Sequence, residues 1–325
     1  MWGLPQGIPQ TQKGILQKQI VDPMTNTSLF VVGLFACLAW AGLLSANEPL
    51  LGDTERGRRV FDQSGGCSCH TNYSKEGRNA PVLAGGRALS TPFGIYYSTN
   101  ITPDLETGIG RMSDAEFITA MQEGIAPDGQ NYFPIFPYTS FTGMSDQDLV
   151  DLRAYLSTLP PVKRVNKPAD VMPPFSWRWG VSLWKWLNFK AGRWQPDPSR
   201  SEIWNRGDYL VNSPSHCGEC HTPRDWTGGL DRSMWLAGSS DGPEGELAPN
   251  ITSDSKTGIG SWHLRDLIWF LETGFKPDGD DTQGLMSEMI EHGYAKLPQA
   301  DLEAIATYLK SVPPIDHRVQ AHSSE

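Results

Sequence analysis

Residues 100–110 read Asn-Ile-Thr-Pro-Asp-Leu-Glu-Thr-Gly-Ile-Gly, and residues 250–260 read Asn-Ile-Thr-Ser-Asp-Ser-Lys-Thr-Gly-Ile-Gly. The offset is 150 residues, and Pro127-Asp128-Gly129 recurs at that offset as Pro277-Asp278-Gly279. Upstream, Arg56-Gly57 returns as Arg206-Gly207; downstream, Tyr155-Leu156 through Pro160-Pro161 returns at 153 as Tyr308-Leu309 through Pro313-Pro314. A unit of this length is too long for a solenoid repeat and marks a duplicated domain. The chain of 325 residues accommodates two such domains, and 38% apolar residues can build their cores.

Helical signals recur with the repeat. Ser145-Asp-Gln-Asp148 is a capping-box-like start. Leu149, Leu152, Tyr155, Leu156 and Leu159 follow as one apolar stripe, stopped by Pro160. In the second copy Pro298 suits a first helical position, and Leu302, Ile305, Tyr308, Leu309 and Val312 repeat the stripe before Pro313. Further helices are predicted near 53–63 and 203–213, and near 113–124 and 261–274. No alternating strand pattern stands out, so the fold is expected to be mainly α with long Gly- and Pro-rich loops. Between the copies, residues 163–201 hold Trp177, Trp179, Trp184, Trp186 and Trp194. Five large rings predict a packed connector spanning both domains, in preference to an exposed docking surface.

Five cysteines occur, and four form two tight clusters, each followed at once by histidine. Cys217-Gly-Glu-Cys220-His221 is the c-type haem attachment signature. On one helical turn, two thiols reach the two vinyl groups of one haem, and the adjacent imidazole meets the iron. A zinc site would need two further ligands, and no second Cys/His cluster lies in this copy. The matching place in the first copy, Cys67-Ser68-Cys69-His70, is one residue short: Arg206 to His221 spans 15 positions, Arg56 to His70 spans 14. The expectation is a thioether at Cys69 and iron ligation by His70, with Cys67 bonded poorly or not at all. The competing expectation is a first copy that has lost its haem and survives as structure.

A saturated electron carrier needs a sixth iron ligand, usually a methionine thioether. Met286 is the candidate in the second copy, in a loop before the last helix, with Met289 next. In the first copy Met144 is preferred over Met112 and Met121, although as the residue before the Ser145 cap it could instead staple against Leu149. Arg224 is a candidate propionate partner or a solvated cation, and His216 is the remaining histidine of interest.

The formal net charge of −10 argues against nucleic acid or an anionic membrane surface as partner. Leu29–Leu44 is almost wholly apolar, of signal-peptide length, with cleavage expected after Ala46 or Ala41 and an uncleaved anchor as the alternative. Met24 is a second candidate start, and Cys37 is expected to be an apolar residue of the signal. The expected division is signal or anchor 1–46, first domain 47–162, connector 163–201, second domain 202–316 and tail 317–325.

The two attachment signatures, the paired Asn-Ile-Thr…Thr-Gly-Ile-Gly segments, Phe136-Pro-Tyr-Thr-Ser140 and the twin Tyr-Leu…Pro-Pro endings resemble the bacterial dihaem cytochrome c family. They are similar to the cytochrome subunits of periplasmic alcohol and gluconate dehydrogenases. The resemblance covers residues 53–316. It implies two tandem class I cytochrome c domains, each holding one haem c by His/Met ligation. His70 with Met144 would be one pair, His221 with Met286 the other, and Cys67, Cys69, Cys217 and Cys220 the attachment cysteines. Some of those subunits carry a third haem domain; here two are expected. The implied function is electron transfer, without catalysis, from a periplasmic or membrane-bound dehydrogenase to a cytochrome or terminal oxidase. A dihaem peroxidase is the enzymatic alternative, and it would require an open or displaceable iron site.

Overall fold

Asp53 starts the first helix: its carboxylate accepts from the amides of Glu55 and Arg56, both at 2.9 Å, two of the donors that a helix start leaves without partners. The computed structural model describes residues 50–173 and 176–320. Leu29–Leu44, both expected cleavage points, Cys37 and His322 lie outside the described residues.

Helix α1 runs Thr54–Gln63, followed by α2 (Tyr73–Glu76), α3 (Asp114–Glu123), α4 (Tyr138–Phe141) and α5 (Asp146–Leu156). Helix α6 (Arg178–Asn188) falls in the Trp-rich stretch. Then come α7 (Glu202–Asn212), α8 (Gly218–His221), α9 (Leu264–Thr273), α10 (Gly284–His292) and α11 (Gln299–Ser311). Ser145 caps α5 as the sequence indicates, accepting from the Asp148 amide at 3.0 Å. Pro298 differs by one position. Its ψ of 145° is extended, so it caps α11 with its carbonyl rather than standing inside the first turn.

The repeated Arg-Gly pair explains how the halves are built. A Cβ at Gly57 would stand 2.9 Å from the Tyr155 Cβ, and one at Gly207 2.8 Å from the Tyr308 Cβ. Glycine therefore lets α1 cross α5, and α7 cross α11, at backbone contact. The preceding arginine ties each crossing: Arg56 Nε lies 2.7 Å from Asp151, and Arg206 Nε 2.9 Å from Asp301. Two hydrophobic cores form around the crossings. One includes Val60, Phe61, Phe117, Leu149, Leu152 and Leu156, the other Leu210, Val211, Leu267, Leu302, Ile305 and Leu309. Each fully buried aliphatic side chain contributes about 1.5–3 kcal/mol.

Three features depart from the sequence reading. A three-stranded antiparallel sheet is present, in the order β1 (Ala88–Thr91), β2 (Gly94–Tyr97), β3 (Asp170–Val171). Its strands are too short for an alternating pattern to register, and β3 comes from the Trp-rich stretch to pair Asp170 with Ile95. Met286 lies inside helix α10 rather than in a loop; Leu, Met and Glu favour helix, and the left-handed Gly284 (φ 61°) starts it. The tryptophans divide. Trp184 donates to the Thr227 carbonyl at 3.1 Å and Trp194 to Asp208 at 2.7 Å, whereas Trp177, Trp179 and Trp186 remain exposed.

Candidate haem-binding sites

In the second half a single turn carries the attachment residues. Cys217 is helical (φ −54°, ψ −34°), and the His221 amide bonds the Cys217 carbonyl at 3.0 Å. The His221 Nδ1 lies 2.7 Å from the Pro249 carbonyl. A carbonyl only accepts, so Nδ1 carries the hydrogen and Nε2 keeps its lone pair for a metal.

The repeated Asn-Ile-Thr segment holds that carbonyl in place. The Asn250 amide donates to Thr257 Oγ1 at 3.0 Å and to the Ile315 carbonyl at 2.8 Å. Its Oδ1 accepts from the amide and hydroxyl of Thr252, while Asp254 accepts from the Thr257 amide and hydroxyl. Asn and Asp side chains are suited to such backbone-mimicking turns.

The first half repeats this frame. His70 Nδ1 lies 2.7 Å from the Thr99 carbonyl, which stands 150 positions before Pro249. Asn100 donates to Thr107 and to the Val162 carbonyl. The Gly85 amide meets the His70 carbonyl at 2.7 Å, as the Gly238 amide meets that of His221. The shortened motif is where the halves part. Gly66 and Cys67 are both left-handed, Cys67 at φ 48° and ψ 37°. A non-glycine residue there is strained, and its thiol cannot project as that of helical Cys217 does.

Burial sets the protonation states. It pushes the thiol of Cys69 up to about 11, and those of Cys67, Cys217 and Cys220 up to about 12. Redox dithiols and zinc ligands act as thiolates; these remain neutral thiols near neutral pH. Burial also holds His70 and His221 below the ordinary histidine value, against the opposing pull of the carbonyls they bond, so the imidazoles are neutral, as ligands must be. Among the described residues no three His, Cys, Asp or Glu side chains converge as a metal cluster.

Met286 is half-buried and packs on the second core together with Cys217. Met289 points the other way: its Sδ accepts from Ser68 Oγ of the first motif at 3.6 Å. Met144 is wholly enclosed, in one core with Leu149. Met112 and Trp262 occupy matching rims of the two cores. Met121 is buried and Met172 exposed.

The two motifs meet at a reciprocal seam. Helix α10 packs on the turn Gly65–His70, and His292 stacks on Tyr73 with centroids 4.5 Å apart. Conversely, Thr139 and Ser140 of α4 donate to Glu219 of the second motif. Arg224 pairs with that same Glu219 at 2.9 Å while staying exposed to solvent. Burial first, and then the nearby Cys69 of the other motif, push the Cys220 thiol up. Buried Arg87 bonds Glu244 and Glu288. His216 points its Nδ1 at the Pro214 carbonyl and packs on Phe141. Arg87 and the carbonyls of Thr99 and Pro249 escaped sequence reasoning, because backbone groups and isolated cations carry no motif. The repeated Asn-Ile-Thr was the available signal for the carbonyls.

The donor set fits covalently held haem. Paired neutral thiols lie beside a histidine whose free nitrogen is oriented, with a thioether near the second pair. Tyr138, wholly enclosed at the seam, carries a hydroxyl with no hydrogen-bond partner among the described residues, a donor left for a group the polypeptide does not supply.

No family model matches the chain. It is 40% identical over 270 residues to the diheme cytochrome c-type protein of Cereibacter sphaeroides, spanning 82% of this chain and 88% of that protein. The chain belongs to the dihaem c-type cytochromes. This dihaem cytochrome is also similar to the fructose dehydrogenase cytochrome subunit of Gluconobacter japonicus, 40% identical over 271 residues, covering 83% of the chain and 54% of the subunit. The gluconate 2-dehydrogenase cytochrome c subunit of Pantoea cypripedii is 37% identical over 281 residues, 82% of the chain and 60% of the subunit. The cytochrome therefore spans just over half the length of these dehydrogenase subunits.

Proposed function

We propose that the chain is an exported electron carrier with two haem c groups, taking electrons from a partner dehydrogenase and passing them to a cytochrome or terminal oxidase. One observation carries this reading: two cysteine–histidine motifs, each with its imidazole turned by a backbone carbonyl at the same register of a repeat. The dehydrogenase subunits among the relatives support the choice of donor.

When bound, haem supplies one-electron chemistry at its iron. The protein positions it. Cys217 and Cys220 would attach the second group, and His221 and Met286 would ligate its iron. Cys69 and His70 hold the first, with Cys67 weakly engaged at most. Hydrogen bonds from Nδ1 raise ligand basicity and fix ring orientation, so the Asn100 and Asn250 loops set the electronic properties of each site. The tight seam brings the two motifs together, which suits relay within one chain.

Export rests on the apolar stretch Leu29–Leu44 and on the oxidative compartment in which c-type attachment is useful. Among the described residues no helix is long and apolar enough to cross a membrane.

The test is the denatured intact mass of protein matured in a periplasm, with free thiols alkylated. Two retained haems and one alkylated cysteine are expected. One haem would mean that the first half is structural or holds its haem only non-covalently, and the total haem of the native protein, read as the pyridine haemochrome, separates the two: one haem there overturns the dihaem carrier.

A further inference from the structure

We propose that the first iron has no methionine ligand and binds a small neutral diatomic molecule, because Phe136 stands at the position that Met286 holds in the second half. This rests on the dihaem reading above.

The register is fixed on both sides of Phe136. Upstream, the Gly124 amide ends α3 on the Ala120 carbonyl, and the Gly274 amide ends α9 on that of Phe270. The bridges Ile125–Asn131 and Phe275–Asp281 then match at 150. The Tyr132 amide returns to the Gly124 carbonyl at 2.8 Å, as the Thr282 amide returns to that of Gly274 at 2.9 Å. Phe136 and Met286 each follow four residues later. Downstream, Thr139 contacts Glu219 just as Met289 contacts Ser68, again at 150 and on equivalent motif positions. No insertion separates these anchors, so the counterpart of the Met286 thioether is a phenyl ring.

Phe136 is half-buried and, like Cys67, packs on the first core, as Met286 and Cys217 both pack on the second. A phenyl ring offers iron no lone pair. Its neighbours are rings: Tyr132 at 5.4 Å and Phe141 at 5.7 Å, both edge-on. Such a wall suits carbon monoxide or nitric oxide, and disfavours cyanide or azide, whose charge would be left without solvation.

Met144 does not replace the missing ligand. At the same offset it matches Tyr294, and both are enclosed core residues, 0% and 3% exposed. The Met144 carbonyl accepts from Gln122 at 2.9 Å, and its side chain lies among Phe141, Leu149 and Leu152. It fills the volume that Tyr294 fills in the second half.

The experiment titrates the dithionite-reduced, periplasmically matured protein with carbon monoxide, after the total haem of the native protein has been read as the pyridine haemochrome. The expected result is two haems and one carbon monoxide per chain, with half of the oxidised haem high-spin by electron paramagnetic resonance. Phe136→Met should abolish the uptake and double the far-red thioether-to-iron band. Two haems with no uptake would overturn this proposal alone; if Met144→Leu then opened uptake, Met144 would be the ligand. One haem per chain would overturn the dihaem reading and this proposal together.

Discussion

Arg87 and Glu288 stand 201 positions apart and form an ion pair across the seam, two residues beyond Met286 on α10. The guanidinium is 2% exposed, while Glu288 and its companion Glu244 keep about a fifth of their surface in water. Burial alone would pull Arg87 down, and the two carboxylates more than reverse that, raising it above its ordinary value. Arg87→Met leaves two partly buried carboxylates facing each other. We expect a loss of about 3–4 kcal/mol, the lower part of the range for breaking a buried pair. Adding Glu244→Gln and Glu288→Gln should recover most of it, measured by urea denaturation of the holoprotein. Full stability in the single variant would show that the pair does not hold α10.

Asn250→Leu tests the imidazole-orienting loop. It removes the bonds to Thr257, Ile315 and Thr252, at about 1 kcal/mol each. The Pro249 carbonyl then loses its fixed position against His221. The midpoint potential of one haem should move while the other stays, and Asn250→Asp should restore part of the shift. Two potentials that stay put would assign Asn250 to folding alone.

Asp151 carries a pH dependence whose sign follows from its surroundings. Burial pushes its carboxyl up, but Arg56, the Asp53 amide and Gln147 outweigh this and hold it below the ordinary value of 3.8. A depressed folded value stabilises above the unfolded one and is lost as pH falls through the folded one. Asp151→Asn should cost about 1–2 kcal/mol at neutral pH, since Arg56 is half exposed and solvent weakens the pair. The gap to the wild type should close below about pH 4. A gap that widens in acid would reverse the assignment.

Cys67→Ser and Cys220→Ser should separate the two motifs. Left-handed Cys67 is strained; if it adds little to the attachment, as proposed, its serine variant should keep two haems after denaturation. Cys220→Ser should leave the second haem on one thioether and red-shift its reduced α-band, because the vinyl group that stays unreacted extends the porphyrin conjugation. Loss of a haem in Cys67→Ser would show that Cys67, and not Cys69, carries the first attachment.

Much of this was legible because a repeat is its own alignment. Arg56-Gly57 and Tyr155-Leu156 announced the helix crossings, and Cys217-Gly-Glu-Cys220-His221 announced its site. Three things stayed hidden for physical reasons. Strands of four residues, such as Ala88–Thr91, are too short to show a period. The seam partners Glu219 and Thr139 are 80 positions apart, and only folding brings them together. Burial is the third: residue type cannot tell an enclosed core position such as Met144 from a half-buried rim position such as Met286.

The reciprocal seam has a consequence for biosynthesis. Gly65, Gly66 and Ser68 are buried beneath α10, a segment translated more than 200 residues after them. Covalent maturation must reach Cys69 before that cover arrives, so we expect the first half to be modified on the nascent, exported chain and the C-terminal third to close last. A chain stopped before Gly284 should accept its first haem normally, while refolded apoprotein should resist it; equal yields from both would show that the cover opens readily.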